Sequence, residues 1–349
     1  MRIFVSEYVC GGGWPSETVA GSLAVEGRAM LSAIVQDLSR IAGVEVETTW
    51  DARLGRIPFA RARTTPIESP ADEWRHFRRL SANCDAVLVI APEFDGILLN
   101  RCRIVEEAGG RLLGPASRAV GLCTDKLRLA IHLRDAGIGT IPTETLNWDE
   151  PRGNASAESQ HPFPQVVKPR DGAGSQNTWL VESADDFTRL RSELSRDALP
   201  AEFVVQPFVA GYAVSVALIF SASQRDVEVL LPAEQRISGD GRFRYLGGRL
   251  PIRAADSAAI QQVALAACRS IPGLRGYVGV DLIVPGQHPH RPVVVEINPR
   301  LTTSYLGYRA LAENNLAEWM LIQGRFERGI RWRNGQVEFD SAGNTELKG

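Results

Sequence analysis

The side chains best suited to chemistry lie in two apolar segments, residues 276–284 and 293–298. The first carries Asp281, and the second carries Glu296 and Asn298. Because strand side chains alternate between faces, Glu296 and Asn298 are expected to point the same way. A carboxylate is costly to bury without a partner, and hard oxygen donors suit Mg²⁺, which shares its coordination shell with water and phosphates. These three side chains are therefore predicted to bind a divalent cation.

A second interpretation of the acid pair is that arginines neutralise it. Arg249 and Arg300 are the candidates, and the strand register decides whether Asp281 faces Glu296 at all. Arg300 directly follows the second segment, within Glu-Ile-Asn-Pro-Arg, and a guanidinium is a natural clamp for a phosphate. The two segments together favour a site that consumes a nucleotide.

A glycine-rich segment follows the apolar strand that ends at Lys168. Its sequence, Pro-Arg-Asp-Gly-Ala-Gly-Ser, places Gly172, Gly174 and Ser175 where backbone N–H groups can close on phosphate oxygens, with the lysine as a point charge. A further β-type segment follows at 177–181, whereas a P-loop must run into a helix. We therefore predict a hairpin that folds over a triphosphate; a plain hairpin with a solvated lysine is the alternative.

Two further segments fit a nucleotide site. Lys126 lies early in a helix predicted over residues 118–136, although most helix lysines are simply solvated. The segment 202–211 is a strand that ends in a proline turn. It can offer main-chain groups to an adenine edge while its side chains wall the ring, and a buried strand is compatible with that role. The residues assigned to the adenine contact are Gln206, Pro207, Phe208 and Val209.

The order of the elements indicates an α/β protein with several domains. A β-type segment at residues 2–9, a run of glycines and a helical pattern over 18–41 open a nucleotide-fold-like domain. The predicted divisions are residues 1–117, 118–210, 211–335 and a polar, frayed tail at 336–349. Surface loops are predicted over 147–164 and 236–249, and one helix over 305–325.

The bulk composition excludes several classes of protein. Among 349 residues, 39 Lys and Arg against 41 Asp and Glu give a net charge of −2, so there is no general attraction to nucleic acid or to an anionic membrane. No apolar run approaches the roughly 18 residues of a membrane span, and the first segment does not resemble a signal peptide. Five scattered cysteines without a CxxC pair predict reduced thiols and a cytoplasmic protein.

In this order, the residues resemble the motifs of the ATP-grasp superfamily. The resemblance spans about residues 118–305: Lys126 near a helix start, Lys168 before a glycine-rich hairpin, the adenine strand, and D…ExN on adjacent strands. It implies an α/β (α+β) fold in which an N-terminal open αβ domain precedes two ATP-grasp subdomains that clamp ATP. It also implies that the lysines bind the α- and β-phosphates and that one or two Mg²⁺ ions, or Mn²⁺, bridge the phosphates.

The same resemblance assigns Arg300 to the γ-phosphate or to an acyl phosphate. One feature departs from the family pattern. An acid for the ribose hydroxyls often follows the adenine strand, and residues 211–215 contain none. How the ribose is held therefore stays open.

The opening segment, residues 5–13, resembles the tyramine–glutamate ligase group of that superfamily. This narrower resemblance implies a carboxylate–amine ligase that acts through an acyl phosphate, with a small carboxylate and a small amine as substrates in one-carbon cofactor biosynthesis. A different amino-acid or dipeptide ligase is the first alternative. A nucleotide-binding regulator without catalysis is the second, and the sequence leaves both monomer and homodimer open.

That mechanism suggests which residues contact the substrates. The strand end and glycine loop are expected to hold one substrate, Arg249 and Arg300 to grip the acyl carboxylate, and two threonines to add polar contacts. Tyr305 could stack on an aromatic amine, with a core tyrosine as the alternative. The residues assigned to substrate binding are Glu7, Gly11, Gly12, Gly13, Thr302 and Thr303.

Overall fold

The computed structural model describes residues 1–146, 161–194, 202–224, 226–252, 254–286, 291–322 and 324–348. The described strands form three sheets, which follow one another along the chain. Among these residues, no helix is both long enough and apolar enough to cross a membrane. All five cysteines are buried and free.

The first sheet is parallel and carries helices on both faces, since Phe4 packs on one side and its neighbours Ile3 and Val5 pack on the other. A strand covered on both faces is expected to be apolar throughout, and the sequence Ala-Val-Leu-Val-Ile is buried along its length. The strands are β1 (Arg2–Glu7), β2 (Glu45–Asp51), β3 (Ala62–Ile67) and β4 (Ala86–Ile90), in the order β3-β2-β1-β4. The helices are α1 (Ser22–Leu38), α2 (Pro70–Asn83) and α3 (Ile97–Glu107).

Two short helices, α4 (Ser117–Cys123) and α5 (Lys126–Asp135), connect this domain to the next. The prediction of one helix over 118–136 is therefore wrong. Asp125 has an extended backbone and its carboxylate accepts a hydrogen bond from the N–H of Arg128. This N-cap starts a new helix and places Lys126 at its first residue.

The second sheet is antiparallel, has the order β5-β8-β6-β7, and packs against helix α6 (Ala184–Leu194). Its strands are β5 (Glu144–Thr145), β6 (Gln165–Pro169), β7 (Trp179–Val181) and β8 (Phe203–Pro207). The glycine-rich segment joins β6 to β7, so the predicted hairpin is present. Most of the loop predicted over 147–164 lies outside the described residues.

The third sheet is the largest and is antiparallel, with the order β14-β13-β9-β11-β12-β15-β16 and with β10 paired to β9. Its strands are β9 (Gly211–Phe220), β10 (Val227–Val229), β11 (Ala233–Ile237), β12 (Tyr245–Leu250), β13 (Gly276–Pro285), β14 (Val293–Asn298), β15 (Gln336–Phe339) and β16 (Thr345–Lys348). Its helices are α7 (Ala254–Arg269), α8 (Ser304–Leu311) and α9 (Leu316–Leu321).

Three predictions about this part of the chain are wrong. The polar segment 236–249 is mostly the β11–β12 hairpin and not a loop. The helix over 305–325 is two helices, because Asn315 has an extended backbone and caps α9 through the N–H of Ala317. The polar tail is a hairpin whose strand β15 pairs with β12.

The N-terminal domain is fixed to the third sheet through the end of α1. The Asp37 carboxylate accepts hydrogen bonds from the Tyr305 hydroxyl at 2.8 Å and from Arg309 Nε at 2.8 Å and Nη2 at 2.7 Å. Tyr305 is fully buried, so this side chain belongs to the core and does not stack on a substrate amine. The contact holds α1 in place where it borders the cavity described next.

Candidate active site

A cavity opens between the second and third sheets, and α1 borders it from the N-terminal domain. The structure brings to this cavity every residue that the sequence assigned to the nucleotide and to the metal. These residues are Lys126, Lys168, Gly172, Gly174, Ser175, Gln206, Pro207, Phe208, Val209, Asp281, Glu296 and Asn298. Arg300, Thr302 and Thr303 also line it.

The acid pair is set by the register of β13 and β14, which places Asp281 directly opposite Glu296. The Asp281 carboxylate accepts hydrogen bonds from Asn298 Nδ2 and from Gln235 Nε2, each at 2.9 Å. Gln235 was not identified from the sequence, because it borders the segment predicted as a loop. The alternation of β11, with Gln235 and Ile237 on the cavity side, was the signal that could have found it.

The acid pair fits a divalent cation. Burial raises the pKa of Asp281 to about 8, and repulsion from Glu296 adds to the effect. Burial opposes ionisation of Glu296 as well, but the charges of Lys126 and Lys168, the hydrogen bond with Asp281 and the charge of Arg300 together lower the pKa of that carboxyl. Within the described ranges no basic side chain pairs with Asp281. A hard cation bound to these oxygens would supply the missing positive charge.

The two lysines reach the same cavity from α5 and β6. Lys126 Nζ donates to the Gly172 carbonyl at 3.3 Å and lies 4.0 Å from Glu296 Oε2. Lys168 is 7% exposed, and burial lowers its pKa to about 8, with Lys126 as a further cause. Two cations held this close together and away from solvent create an electrostatic site for an anion.

The hairpin between β6 and β7 closes one side of the cavity. Gly174 and Ser175 have φ angles of 65° and 57°, the left-handed region that glycine adopts without a steric penalty. The carboxylate of Asp171 accepts a hydrogen bond from the Asp95 N–H at 3.0 Å. This bond joins the base of the hairpin to the N-terminal domain.

The apolar end of the cavity has an aromatic wall against which a base could pack. Phe208, after β8, lies 6.3 Å from Phe243 between ring centroids. Gln206 Nε2 donates to Thr143 Oγ1 at 2.7 Å, which fixes this strand beside the start of the second sheet. Phe243 was missed because it lies in the turn of the β11–β12 hairpin, within the segment predicted as a polar loop.

Arg300 is held by a carboxylate that sequence reasoning did not assign. Its Nε and Nη2 donate to Glu93 at 2.7 and 2.9 Å, and its Nη1 donates to the Leu301 carbonyl at 3.1 Å. A guanidinium has five N–H groups, so two remain for a ligand. Glu93 follows β4, at the edge where ligands bind in parallel α/β sheets.

Arg249 is not brought to the cavity, contrary to the prediction. It pairs with Glu234 in the register of β11 and β12, and the two side chains form an ion pair. Gln235 faces Asp281, so its neighbour Glu234 and the paired Arg249 project from the opposite face of the sheet. Arg249 pairs with Glu234 and Arg300 pairs with Glu93, so neither forms a direct ion pair with the acid pair, although the charge of Arg300 helps to lower the pKa of Glu296.

The first strand and its glycines also differ from the prediction. Of the described residues that line the cavity, none is Glu7 or one of the glycines 11–13. The Glu7 carboxylate accepts a hydrogen bond from the Cys10 N–H at 2.5 Å and faces Gly27 of α1. Gly12 has φ 100°, and an added Cβ there would lie 2.4 Å from Ile67. These residues pack the loop against the sheet and do not line this cavity.

The two threonines after Arg300 lie at the cavity wall. The Thr302 hydroxyl is 3.0 Å from the Tyr277 hydroxyl and 2.8 Å from that of Ser304. An added Cβ at Gly279 would lie 2.8 Å from Thr302 Cγ2, so this strand position must be small. The strand β13 thus makes room for the segment that carries Arg300.

Comparison with known proteins identifies the fold. The model of the ATP-grasp domain matches residues 123–304, and that of the pre ATP-grasp 3 domain matches residues 44–120. The chain belongs to the ATP-grasp family. A tyramine–L-glutamate ligase of Methanocaldococcus fervens is 26% identical over 321 residues, which cover 91% of this chain and 92% of that protein.

Solved ATP-grasp structures agree with this fold. The crystal structure of an ATP-grasp superfamily protein from Archaeoglobus fulgidus is similar, with a TM-score of 0.66 and 24% identity over 97% of this chain and 92% of that one. A biotin carboxylase domain from Hydrogenobacter thermophilus, solved with MgADP and bicarbonate, has a TM-score of 0.71 at 14% identity over 97% and 73% of the two chains.

The predicted ATP-grasp fold and the predicted enzyme class are confirmed. The ATP-grasp chain described here is an ATP-binding ligase that forms C–N bonds. The likeness to the tyramine–glutamate ligase group, expected from the opening segment, extends over nearly the whole chain.

Proposed function

We propose that the protein joins the carboxylate of an amino acid, glutamate first, to a small primary amine such as tyramine. ATP would be split to ADP and phosphate through an acyl phosphate. The observation that carries the reaction is the convergence of two lysines on an acid pair, with Lys126 Nζ 4.0 Å from Glu296 and Asp281 opposite that residue. The similarity over 92% of a tyramine–L-glutamate ligase supports the choice of substrates.

Each part of ATP would bind to a different part of the cavity. The base would lie beside Phe208 and Phe243, and the phosphates would lie under the glycine hairpin between Lys126 and Lys168. Magnesium would be held by Asp281, Glu296 and Asn298. When bound, it would neutralise phosphate charge and favour displacement at the γ-phosphorus.

The acid substrate would be activated first. One carboxylate oxygen attacks the γ-phosphorus, the bond to the bridging oxygen of ADP breaks, and an acyl phosphate results. Arg300 would bind the transferred phosphoryl group through its two remaining N–H groups, since Glu93 and the Leu301 carbonyl occupy the other three. The protein contributes by holding the reactants in line and balancing charge, the usual strategy in phosphoryl transfer.

The amine would then replace phosphate. Its nitrogen attacks the acyl carbon, the bond between that carbon and the phosphate oxygen breaks, and the amide forms. Water would compete for the same intermediate, so the site must be closed during the reaction. The glycine hairpin lines the cavity and is tied at its base to the N-terminal domain by the bond from the Asp95 N–H to Asp171, so it is the segment that would shield the intermediate.

A matrix of acids and amines tests this proposal. ADP release is measured with Mg²⁺ and ATP for glutamate and other amino acids, each paired with tyramine, tyrosine, simple amines or a second amino acid. We expect release with glutamate and tyramine, and an amide of matching mass. Release only with two amino acids would replace the proposal with a dipeptide ligase. ATP binding without release for any pair would contradict it.

A further inference from the structure

One carboxylate in the cavity has no role in the reaction described so far. Glu26 lies in the second turn of α1 and lines the cavity from the side of the N-terminal domain. It lies near Arg300 and Glu93, whose charges act on its carboxyl. Neither the metal site nor the nucleotide site includes it, and the sequence analysis did not identify it.

Among the described residues, Glu26 differs from its neighbour Glu93 in having no hydrogen-bonded partner. Glu93 accepts two hydrogen bonds from Arg300. Within the part of the chain that the structure describes, Glu26 makes no hydrogen bond and no ion pair. It is nevertheless half-buried at the cavity wall, where an unpaired carboxylate is costly. Such a group calls for a positively charged ligand.

The position of Glu26 narrows the choice of that ligand. A negative charge beside Arg300 would repel the phosphates of ATP, so Glu26 is unsuited to the nucleotide. It would also repel the carboxylate of the acid substrate. The remaining reactant is the amine, which enters as an ammonium ion at neutral pH.

We propose that Glu26 binds the ammonium group of the amine substrate and holds its nitrogen beside the acyl phosphate. This inference rests on the proposed function and adds the residue that selects the second substrate. The class of amine follows from the contact: a primary amine that is protonated in solution. Charge-assisted hydrogen bonds of this kind are about twice as strong as neutral ones.

The same carboxylate accounts for the proton that must leave before attack. Glu26 accepts one proton from the ammonium, and the neutral nitrogen forms the C–N bond as the bond from carbon to the phosphate oxygen breaks. The second proton leaves the new amide nitrogen with the departing phosphate. A carboxylate in contact with the nucleophile can act as a general base in this way.

Hydroxylamine as the nucleophile allows the binding of the amine by Glu26 to be tested separately from the formation of the acyl phosphate. It is uncharged at pH 8 and traps acyl phosphates as hydroxamates, so it needs no carboxylate to bind an ammonium group. Amide formation with the amine and hydroxamate formation are measured for the wild type, Glu26→Gln and Glu26→Asp. Glu45→Gln removes an exposed carboxylate of the same domain away from the cavity and is the matched control.

Glu26→Gln is expected to impair the reaction with the amine much more than the reaction with hydroxylamine. Glu26→Gln should raise the KM for the amine by about tenfold or more, the scale of a lost hydrogen bond to a charged group. Hydroxamate formation should stay within about twofold of the wild type, Glu26→Asp should recover part of the amine reaction, and Glu45→Gln should match the wild type.

Two results would overturn the assignment of Glu26. One is an unchanged KM for the amine in Glu26→Gln. The other is an equal loss of hydroxamate and amide, which would mean that Glu26 acts through Arg300 on the first step. If the wild type forms neither product with any acid, the proposed function fails and this inference fails with it. That outcome is recognised from the wild type alone.

Discussion

Arg300 and Glu93 form a two-bond ion pair between residues 207 positions apart in the chain, with Nε···Oε1 at 2.7 Å and Nη2···Oε2 at 2.9 Å. Both side chains are largely buried, at 13% and 5% exposure. The pair orients the guanidinium at the cavity, and it connects the edge of the first sheet to the end of β14. The N-terminal domain therefore takes part in building the proposed site for the transferred phosphate.

We expect Glu93→Ala to affect both stability and activity. Breaking a buried ion pair from one side leaves an unpaired charge, which typically costs about 3 to 5 kcal/mol. The free energy of unfolding should fall by about 3 kcal/mol, and kcat should fall because Arg300 loses its orientation. Denaturant unfolding and ADP release measure the two effects. Glu313→Ala, which removes the exposed partner of Arg331, is the control; an equally small change in both variants would contradict the prediction.

We expect Glu296→Gln to remove turnover while it leaves the fold intact. The substitution keeps the shape of the side chain but removes one of the two charges that would hold magnesium. ADP release should fall by about 100-fold or more, the scale seen when an electrostatic contact to the transition state is lost. The fold should stay intact, but the melting temperature should fall, because Lys126, Lys168 and Arg300 stabilise the ionised Glu296 carboxylate in the folded protein. Normal ADP release by this variant would rule out the metal role.

We expect Lys168→Ala to weaken ATP binding. The lysine is buried beside Lys126. Among the described residues its ammonium group has no hydrogen-bond acceptor, so a bound phosphate can serve as the acceptor. Losing a hydrogen bond to a charged group costs about 1.5 to 3 kcal/mol, so the Kd for ATP should rise by about tenfold to 100-fold. Titration calorimetry gives the Kd directly. Lys348→Ala, at the exposed end of the third sheet, should bind ATP as the wild type does.

Local sequence patterns sufficed to predict several of the residues that line the cavity. Lys168 lies at the end of a strand just before the glycines, and Glu296 and Asn298 share a strand face, so turn chemistry and alternation place the members of each group next to one another. The predictions failed where the contact is long-range. Glu93 and Arg300 lie in separate domains, and no local pattern in either segment indicates the other.

The tail shows a second reason for failure. Its composition is polar and typical of a frayed end, yet Val337 and Phe339 are buried at 0% and 2% exposure. Phe339 packs where Gly248 and Gly307 leave room, since an added Cβ at either would lie 2.5 Å from its ring. Two apolar residues at alternate positions are too few to stand out in a sequence, although they suffice to fix a strand on a sheet.

Glu7 makes the stability of the protein depend on pH near neutrality. Burial raises the pKa of its carboxyl from 4.5 to about 7, and the hydrogen bonds from the loop after β1 only partly oppose this. Between pH 4.5 and about pH 7, Glu7 keeps its proton in the native state and releases it in the unfolded chain. The free energy of unfolding therefore falls as the pH rises from about 4.5 to 7, and the contribution of Glu7 is lost above that range.

We therefore expect Glu7→Gln to be less sensitive to pH than the wild type. One pKa unit corresponds to about 1.36 kcal/mol, so from pH 5 to pH 8 the wild type should lose about 2 to 3 kcal/mol relative to the variant. Glutamine is neutral at all pH values and keeps an oxygen that can accept from the Cys10 N–H. Denaturant unfolding at the two pH values gives the difference, and parallel pH curves would mean that Glu7 is ionised in the folded protein. A larger loss in the variant would mean that the carboxylate, and not the neutral acid, stabilises the loop.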